Sequence, residues 1–335
     1  MNRNSSIRRA QEEGAYQAIA ALINLNVDQT KPIDVFSLIQ ESGIWLVFGP
    51  MGNAFGMFLN QGSPGIFINT SRPPSVQRIT AAHEFGHAWL KHGASVDDQD
   101  RIEGSRPTEL QEAAAQAFAL DFLMPEILVE TLWDSMNLPG RQQLQARQVY
   151  LLSLEIGITY RACVVQLRQM DKIGKEQAIA FLGWQPKQLK KEIGGGIGPA
   201  DPWADIWPLE ETDNGRSIHV RVNDELRLKL PEAPSTGYRW QRLNEDEDDA
   251  LIAIGDDFEG LSAEKLIASR GHRFLSFRAA EPKAQPLHLV LQRLWEAPAS
   301  VKEFTLNCVI DPGPAGPNGI GLASSLLKSL LAEGA

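Results

Sequence analysis

His83 and His87 bracket Glu84 in the stretch Ile79-Thr80-Ala81-Ala82-His83-Glu84-Phe85-Gly86-His87-Ala88-Trp89-Leu90, a spacing of the form H-E-x-x-H. On a helix, positions i and i+4 share a face one turn apart. Two imidazoles there can reach one ion at roughly 2 Å from each nitrogen. Glu84, beside them, can take a proton from a water held by that ion. Zinc brings the pKa of such a water from near 16 to about 7. A hydroxide nucleophile then exists at neutral pH, and the carboxylate can pass its proton to a leaving amine. Ile79, Ala81, Ala82, Phe85, Ala88, Trp89 and Leu90 make the helix largely buried. A buried carboxylate between two histidines needs a compensating charge, and a metal supplies it.

A two-histidine zinc site requires a third protein ligand and leaves a position open for water. His92 is nearest in sequence, but it lies at the end of the same helix, off the face shared by His83 and His87. A second long helix runs from Pro107 to Pro125. Its Glu109, Glu112 and Asp121 can come close in space, and its alanines let it pack tightly against the first helix. Glu109 stands in the first turn, where solvent is the ordinary environment. Glu112, inside the Ala-rich face, is better placed.

Other elements must position this pair of helices. The pattern predicts a helix over 7–24 with Tyr16, Ile19, Ala20 and Ile23 on one face, and a second helix opened by Pro32 and stopped by Gly43, with Val35, Leu38 and Ile39 inward. Strands follow over 44–48, 55–59 and 65–69; two readings of 65–69 stand side by side, an edge strand able to add an extended substrate to the sheet and a plain core strand. Ser75, after two prolines, is the expected cap of the metal helix. Residues 97–101 form a charged loop. Residues 126–185 read as helical, and 144–170 have a helix-turn-helix shape. Arg161, Arg168 and Lys172 are too few for DNA binding, so this bundle is expected to pack.

At 335 residues the chain favours two domains. The net charge of -10 argues against a nucleic-acid or acidic-membrane binder, both of which need a basic face. The N-terminal residues are polar, so no signal peptide is expected, and no apolar run is long enough for a membrane span. Cys163 and Cys308 fall in different halves and build no disulfide framework. These features fit a cytoplasmic protein. Residues 193–211 are read as a Gly- and Pro-rich linker in which Trp203 and Trp207 anchor to a domain surface. Beyond it the period becomes two, as in Leu226, Leu228 and Leu230, and about seven such strands indicate an immunoglobulin-like β-sandwich. Cys308 shares a parity with Phe304, Leu306 and Ile310, which makes it a core residue. The expected fold class is α+β: a zincin-like domain over 1–192 with a small sheet and a helical bundle, the linker, an all-β sandwich over 212–311, and a tail over 312–335 with a short helix.

Residues from about 15 to 185 resemble the ImmA/IrrE metallopeptidases. The shared pattern is Ile66-Phe67-Ile68-Asn69, then Arg78 and Thr80 before Ala82-His83-Glu84-Phe85-Gly86-His87, then a Glu-bearing helix ending Phe118-Ala119 and Leu123-Met124-Pro125. In that family the third zinc ligand stands thirteen residues before the final proline, which falls on Glu112. Family members often carry a second Glu two residues later, where this chain has Ala114. The resemblance implies a zinc endopeptidase that cuts regulatory proteins, often helix-turn-helix repressors of stress or mobile-element genes.

Three later loops, 231–240, 269–273 and 293–296, resemble the inhibitory loops of chagasin-like cysteine-peptidase inhibitors. Ala233, Ser235 and Leu294 depart from that pattern, and the middle loop is poor in glycine. Thr236, Gly237 and Trp295 are the expected centre of a protein contact: Gly237 permits close backbone approach and Trp295 offers an apolar anchor. Two readings follow. One is a zinc endopeptidase whose appended domain recognises protein or inhibits its own cleft. The other is a binding protein whose sandwich captures a papain-like cysteine peptidase, with a regulatory metallopeptidase half.

Overall fold

The computed structural model describes residues 3–60, 63–92, 95–97, 110–243, 249–260, 271–293, 295 and 302–311. The chain divides into two compact units at Pro186/Lys187. In the first, helix α1 (Arg3–Asn24) precedes α2 (Val35–Glu41), which Asp34 caps by accepting from the Ser37 N–H. Strands β1 (Trp45–Gly49), β2 (Gly56–Leu59) and β3 (Gly65–Asn69) lead into α3 (Pro74–Trp89), the helix of the H-E-x-x-H residues. A short strand β4 (Ser95–Asp97) follows, then α4 (Leu110–Leu123). Helices α5 (Glu126–Ser135), α6 (Ala146–Ile156), α7 (Tyr160–Gln169) and α8 (Lys175–Leu182) complete this part.

The sheet runs β1-β3-β2-β4, with β1 parallel to β3 and the other pairs antiparallel. β3 therefore lies inside the sheet and is buried along its whole length, and β4 is the edge on the side of β2. Of the two readings of 65–69, the core strand holds and the edge strand is corrected: a strand with both neighbours hydrogen-bonded and both faces covered reads as continuous apolar sequence, as Gly-Ile-Phe-Ile does. The start of α3 also differs from expectation. Pro73 is the N-cap and Pro74 the first helical residue, and no side chain caps it. Proline fits there because its missing N–H would have no helical partner.

α1 lies on α4 through small residues. Gly14, Ala18 and Ala21 are buried, whereas Tyr16, Ile19 and Ile23, which share the larger apolar face, are exposed. A Cβ on Gly14 would stand 2.0 Å from the Ala114 carbonyl oxygen. Where α3 crosses α4, a Cβ on Gly86 would meet the Phe118 ring at 3.0 Å. Phe85 packs edge-on against Phe118 and Phe122, which stack on each other. These apolar contacts hold the two site-bearing helices together. α6 and α7 have the expected helix-turn-helix shape, with Gly157 left-handed between them and Thr159 capping α7. Their Val149, Leu152, Ile156, Val164 and Leu167 are buried.

The second unit opens with α9 (Pro186–Ile193) and β5 (Ile206–Glu210), then β6 (Ser217–Arg221), β7 (Glu225–Glu232), β8 (Tyr238–Arg242), β9 (Leu251–Gly260), β10 (Gly271–Ala279), β11 (Ala284–Arg293) and β12 (Lys302–Asp311). They form a sandwich of two four-stranded sheets, β5-β7-β10-β9 and β6-β12-β11-β8. The inner faces carry Leu226, Leu228, Leu230, Trp240, Phe277, Leu287, Leu289, Phe304 and Leu306. Cys308 is buried among them, and burial pushes its thiol up to about 12.

The stretch read as a linker contributes structure to this unit. β5 pairs parallel to β7, with Ile206 opposite Glu225. Lys190 donates to the carbonyls of Pro202 and Ala204 and pairs with Asp205, while Arg227 donates to the carbonyls of Gly194 and Ile197. Trp207 is buried and its indole N–H donates to Asp224. Trp203 is exposed, so only one of the two tryptophans anchors. Among the described residues, no helix is long and apolar enough to cross a membrane. The charged stretch 98–101 and the tail 312–335 lie outside the described residues.

Candidate metal centre

The i,i+4 spacing on α3 brings the Nε2 atoms of His83 and His87 to 3.1 Å. Glu112, in the first turn of α4, presents Oε2 at 3.4 Å from His83 Nε2 and Oε1 at 3.6 Å from His87 Nε2. Two ligands each about 2 Å from a tetrahedral ion stand about 3.3 Å apart, so these separations are the edges of such a site. Among the described residues, these three form the one group of metal-binding side chains whose ligand atoms converge. All three are buried. The donor set of two imidazoles and a carboxylate suits zinc, and burial together with the edge lengths fits the group to the residues. Burial alone would raise the Glu112 carboxyl, but the hydrogen bonds and charges of the two histidines outweigh it and hold it well below the usual carboxylate range.

Glu84 follows His83 on the same helix and is fully buried. β2 runs close to it. A Cβ on Gly56 would lie 3.1 Å from Glu84 Oε1 and 2.3 Å from Thr80 Cγ2, so only glycine lets the strand approach the carboxylate this closely. Asn69 holds the loop that delivers Gly56. Its Oδ1 accepts from the N–H groups of Met51 and Ser71, and its Nδ2 donates to the carbonyls of Gly52 and Ala54. Arg78 clamps α3 from the other side by donating to the carbonyls of Ile33, Ile156 and Gly157. Its guanidinium thus meets the C-terminal end of α6, where the helix dipole favours a cation.

The other candidate ligands go elsewhere. Asp121 accepts a hydrogen bond from Gln166 Nε2 at 3.0 Å, and burial pushes its carboxyl up to about 6. Glu109 lies outside the described residues. His92 does not join the converging group, yet its Nδ1 is 3.1 Å from Nδ1 of His87. Burial is the largest cause that draws its pKa down to about 4.

In the sandwich, Thr236 and Gly237 sit in the turn before β8, and Gly237 is left-handed with φ 78°. Trp295 is 70% exposed and lies over Gly237, whose Cβ would meet its ring at 2.5 Å. Arg293 donates to the Thr236 carbonyl at 2.9 Å and stacks over the Tyr238 ring at 4.5 Å. The three expected contact residues are therefore side by side, with the glycine serving Trp295 of the same domain. Trp240, by contrast, is core. Ser269, Arg270, Leu294 and Glu296 lie outside the described residues.

Residues 39–155 match the family model described as IrrE N-terminal-like domain, and residues 219–310 match that described as Chagasin family peptidase inhibitor I42. Two curated proteins named Radiation response metalloprotease IrrE are similar to this chain. That of Deinococcus radiodurans is 34% identical over 101 residues, 30% of either chain. That of Deinococcus deserti is 35% identical over 111 residues, 32% of this chain and 39% of that protein. The match thus spans only about a third of the length of these relatives. Among solved structures, the cysteine protease inhibitor EhICP2 from Entamoeba histolytica is similar at 22% identity and a TM-score of 0.28, covering 31% of this chain and 95% of that one. The solution structure of Amebosin is similar at 21% and 0.28, covering 32% and 100%. The chain carries an IrrE-like segment followed by a chagasin-like one.

Proposed function

We propose that the protein is a cytoplasmic zinc-dependent endopeptidase that cleaves a regulatory protein, such as a helix-turn-helix repressor in a stress response. His83, His87 and Glu112 hold the metal, and Glu84 is the general base. The observation that carries the reading is the convergence of those three ligand atoms, from two helices, at the edge lengths of a tetrahedral site. Bound zinc supplies Lewis acidity and brings a water's pKa down to about 7. The buried Glu84 carboxylate takes the proton of the attacking water and delivers it to the leaving nitrogen. β2, held against Glu84 by the absence of a side chain at Gly56, limits where that carboxylate can turn. The sandwich serves protein recognition through Thr236, Gly237 and Trp295, which supports a second reading, capture of a papain-like cysteine peptidase; the contacts of Arg293 and Trp295 with residues 236–238 favour both.

Metal analysis of the purified full chain tests the centre. About one zinc per chain is expected, with much weaker binding in Glu112→Ala; undiminished affinity in that variant would remove Glu112 from the ligand set. Glu84→Gln should keep the metal and the fold and lose about 10²–10⁴-fold in cleavage, because an amide cannot take the proton. Cleavage at the original rate would rule Glu84 out as the base.

A further inference from the structure

We propose that His92 is a positioning residue that fixes His87 in the tautomer able to bind a metal. The inference rests on the metal-centre reading above and adds a residue that the H-E-x-x-H spacing does not contain.

His87 uses both ring nitrogens. Its Nε2 faces His83 and Glu112, and its Nδ1 lies 3.1 Å from Nδ1 of His92. Two ring nitrogens at that distance attract only when one carries the hydrogen and the other offers a lone pair. A His87 that gives its Nε2 lone pair to a cation must carry its hydrogen on Nδ1. His87 is then the donor and His92 Nδ1 the acceptor, with the His92 hydrogen on Nε2. The rings also meet edge to face, with centroids 5.0 Å apart and planes at 68°. Metal-binding histidines generally donate their second N–H to an oriented acceptor, which sets the ring's rotation and raises the basicity of the coordinating nitrogen. His92 fills that place here.

The backbone is bent to put it there. α3 ends at Trp89 with Leu90 as its C-cap, Lys91 takes a left-handed conformation with φ 57°, and the His92 N–H donates back to the His87 carbonyl at 2.9 Å while Lys91 N–H donates to the Ala88 carbonyl. This is a Schellman turn with lysine where glycine is usual. A non-glycine residue in that region costs on the order of 1 kcal/mol, and such strain persists where the surroundings impose it. The reversal carries His92 off the helical path and folds its ring over His87, which explains how a residue off the i,i+4 face reaches a ligand.

Zinc affinity of the full chain, measured by competition with a chromophoric chelator, tests the proposal alongside circular dichroism and the visible spectrum of the cobalt-loaded protein. His92→Ala is expected to bind zinc about 10–100-fold more weakly with its helical signal retained. His92→Asn, whose amide oxygen can accept in place of Nδ1, is expected to recover most of that loss and the original cobalt spectrum, which a merely structural residue would not do. An alanine variant with undiminished affinity, or an asparagine variant no better than alanine, overturns the proposal while leaving the metal centre intact. Should His92→Ala fail to fold, the asparagine variant decides: affinity near that of the unaltered chain upholds the acceptor role, and a 10–100-fold loss in a folded protein overturns it. Absence of zinc binding in the unaltered chain would instead overturn the metal-centre reading, and this inference with it.

Discussion

Glu112 and Asp121 stand on one helix, and their surroundings drive their carboxyls in opposite directions. Asp121 has a neutral amide for a partner, so burial wins and its carboxyl rises from 3.8 to about 6. Well below pH 4 it is protonated in the folded and unfolded chains alike. Between about pH 4 and 6 the unfolded chain releases the proton first, so the native state loses stability as pH rises, by on the order of 2–3 kcal/mol at completion. Asp121→Asn keeps an oxygen that accepts from Gln166 and removes the ionisation. Thermal melts should therefore show the variant more stable at pH 7.5 and little changed near pH 4; an equal shift at both would contradict this cause. The meeting of His83, His87 and Glu112 was legible in the sequence because one helical turn and one Ala-rich helix suffice to make it. The part His92 plays was not, because it depends on a left-handed Lys91, and lysine does not advertise that conformation.

At the scale of elements, legibility followed the strength of the periodic signal. The alternating leucines of β7 and the uninterrupted apolar residues of β3 announced strands, but neither pattern says which strand is an edge. β5 went unread because Ile206-Trp207-Pro208-Leu209 follows glycines and prolines and pairs only with a strand about twenty residues later. For α1 the bulky residues mark one apolar face, but close approach of two backbones buries the face of small ones. Gly14 tests that reasoning through two opposed effects. In an open helix, Gly→Ala gains about 1 kcal/mol from propensity. Here the new methyl would fall 2.0 Å from the backbone oxygen of Ala114, and overpacking of that kind costs about 1–3 kcal/mol. Gly14→Ala should therefore lower the denaturation midpoint, and a higher midpoint would show that α1 does not press against α4.

The chain as a whole joins two units of different architecture, and their fold classes were legible because the hydrophobic period changes from helical to alternating beyond residue 211. What each unit does for the other depends on surfaces, which periodicity does not encode. Trp295 is the informative residue. A side chain of that size left 70% exposed over a glycine has the character of an interface anchor, since an indole brought from water to a partner contributes more than most contacts. If the sandwich recruits the substrate of the metal centre, Trp295→Ala in the full chain should raise KM for a folded protein substrate and leave cleavage of a short peptide unchanged, because a peptide spans only the cleft. Autoinhibition would reveal itself by faster peptide cleavage in the variant. Capture of a cysteine peptidase would appear as inhibition of papain by the unaltered chain that Trp295→Ala relieves, with both cleavage rates untouched. A folded variant unchanged in all three assays would put the recognition surface elsewhere on the sandwich. In each case Trp295→Ala is expected to leave the domain folded, because Arg293 ties to the Thr236 carbonyl and the Tyr238 ring without the indole.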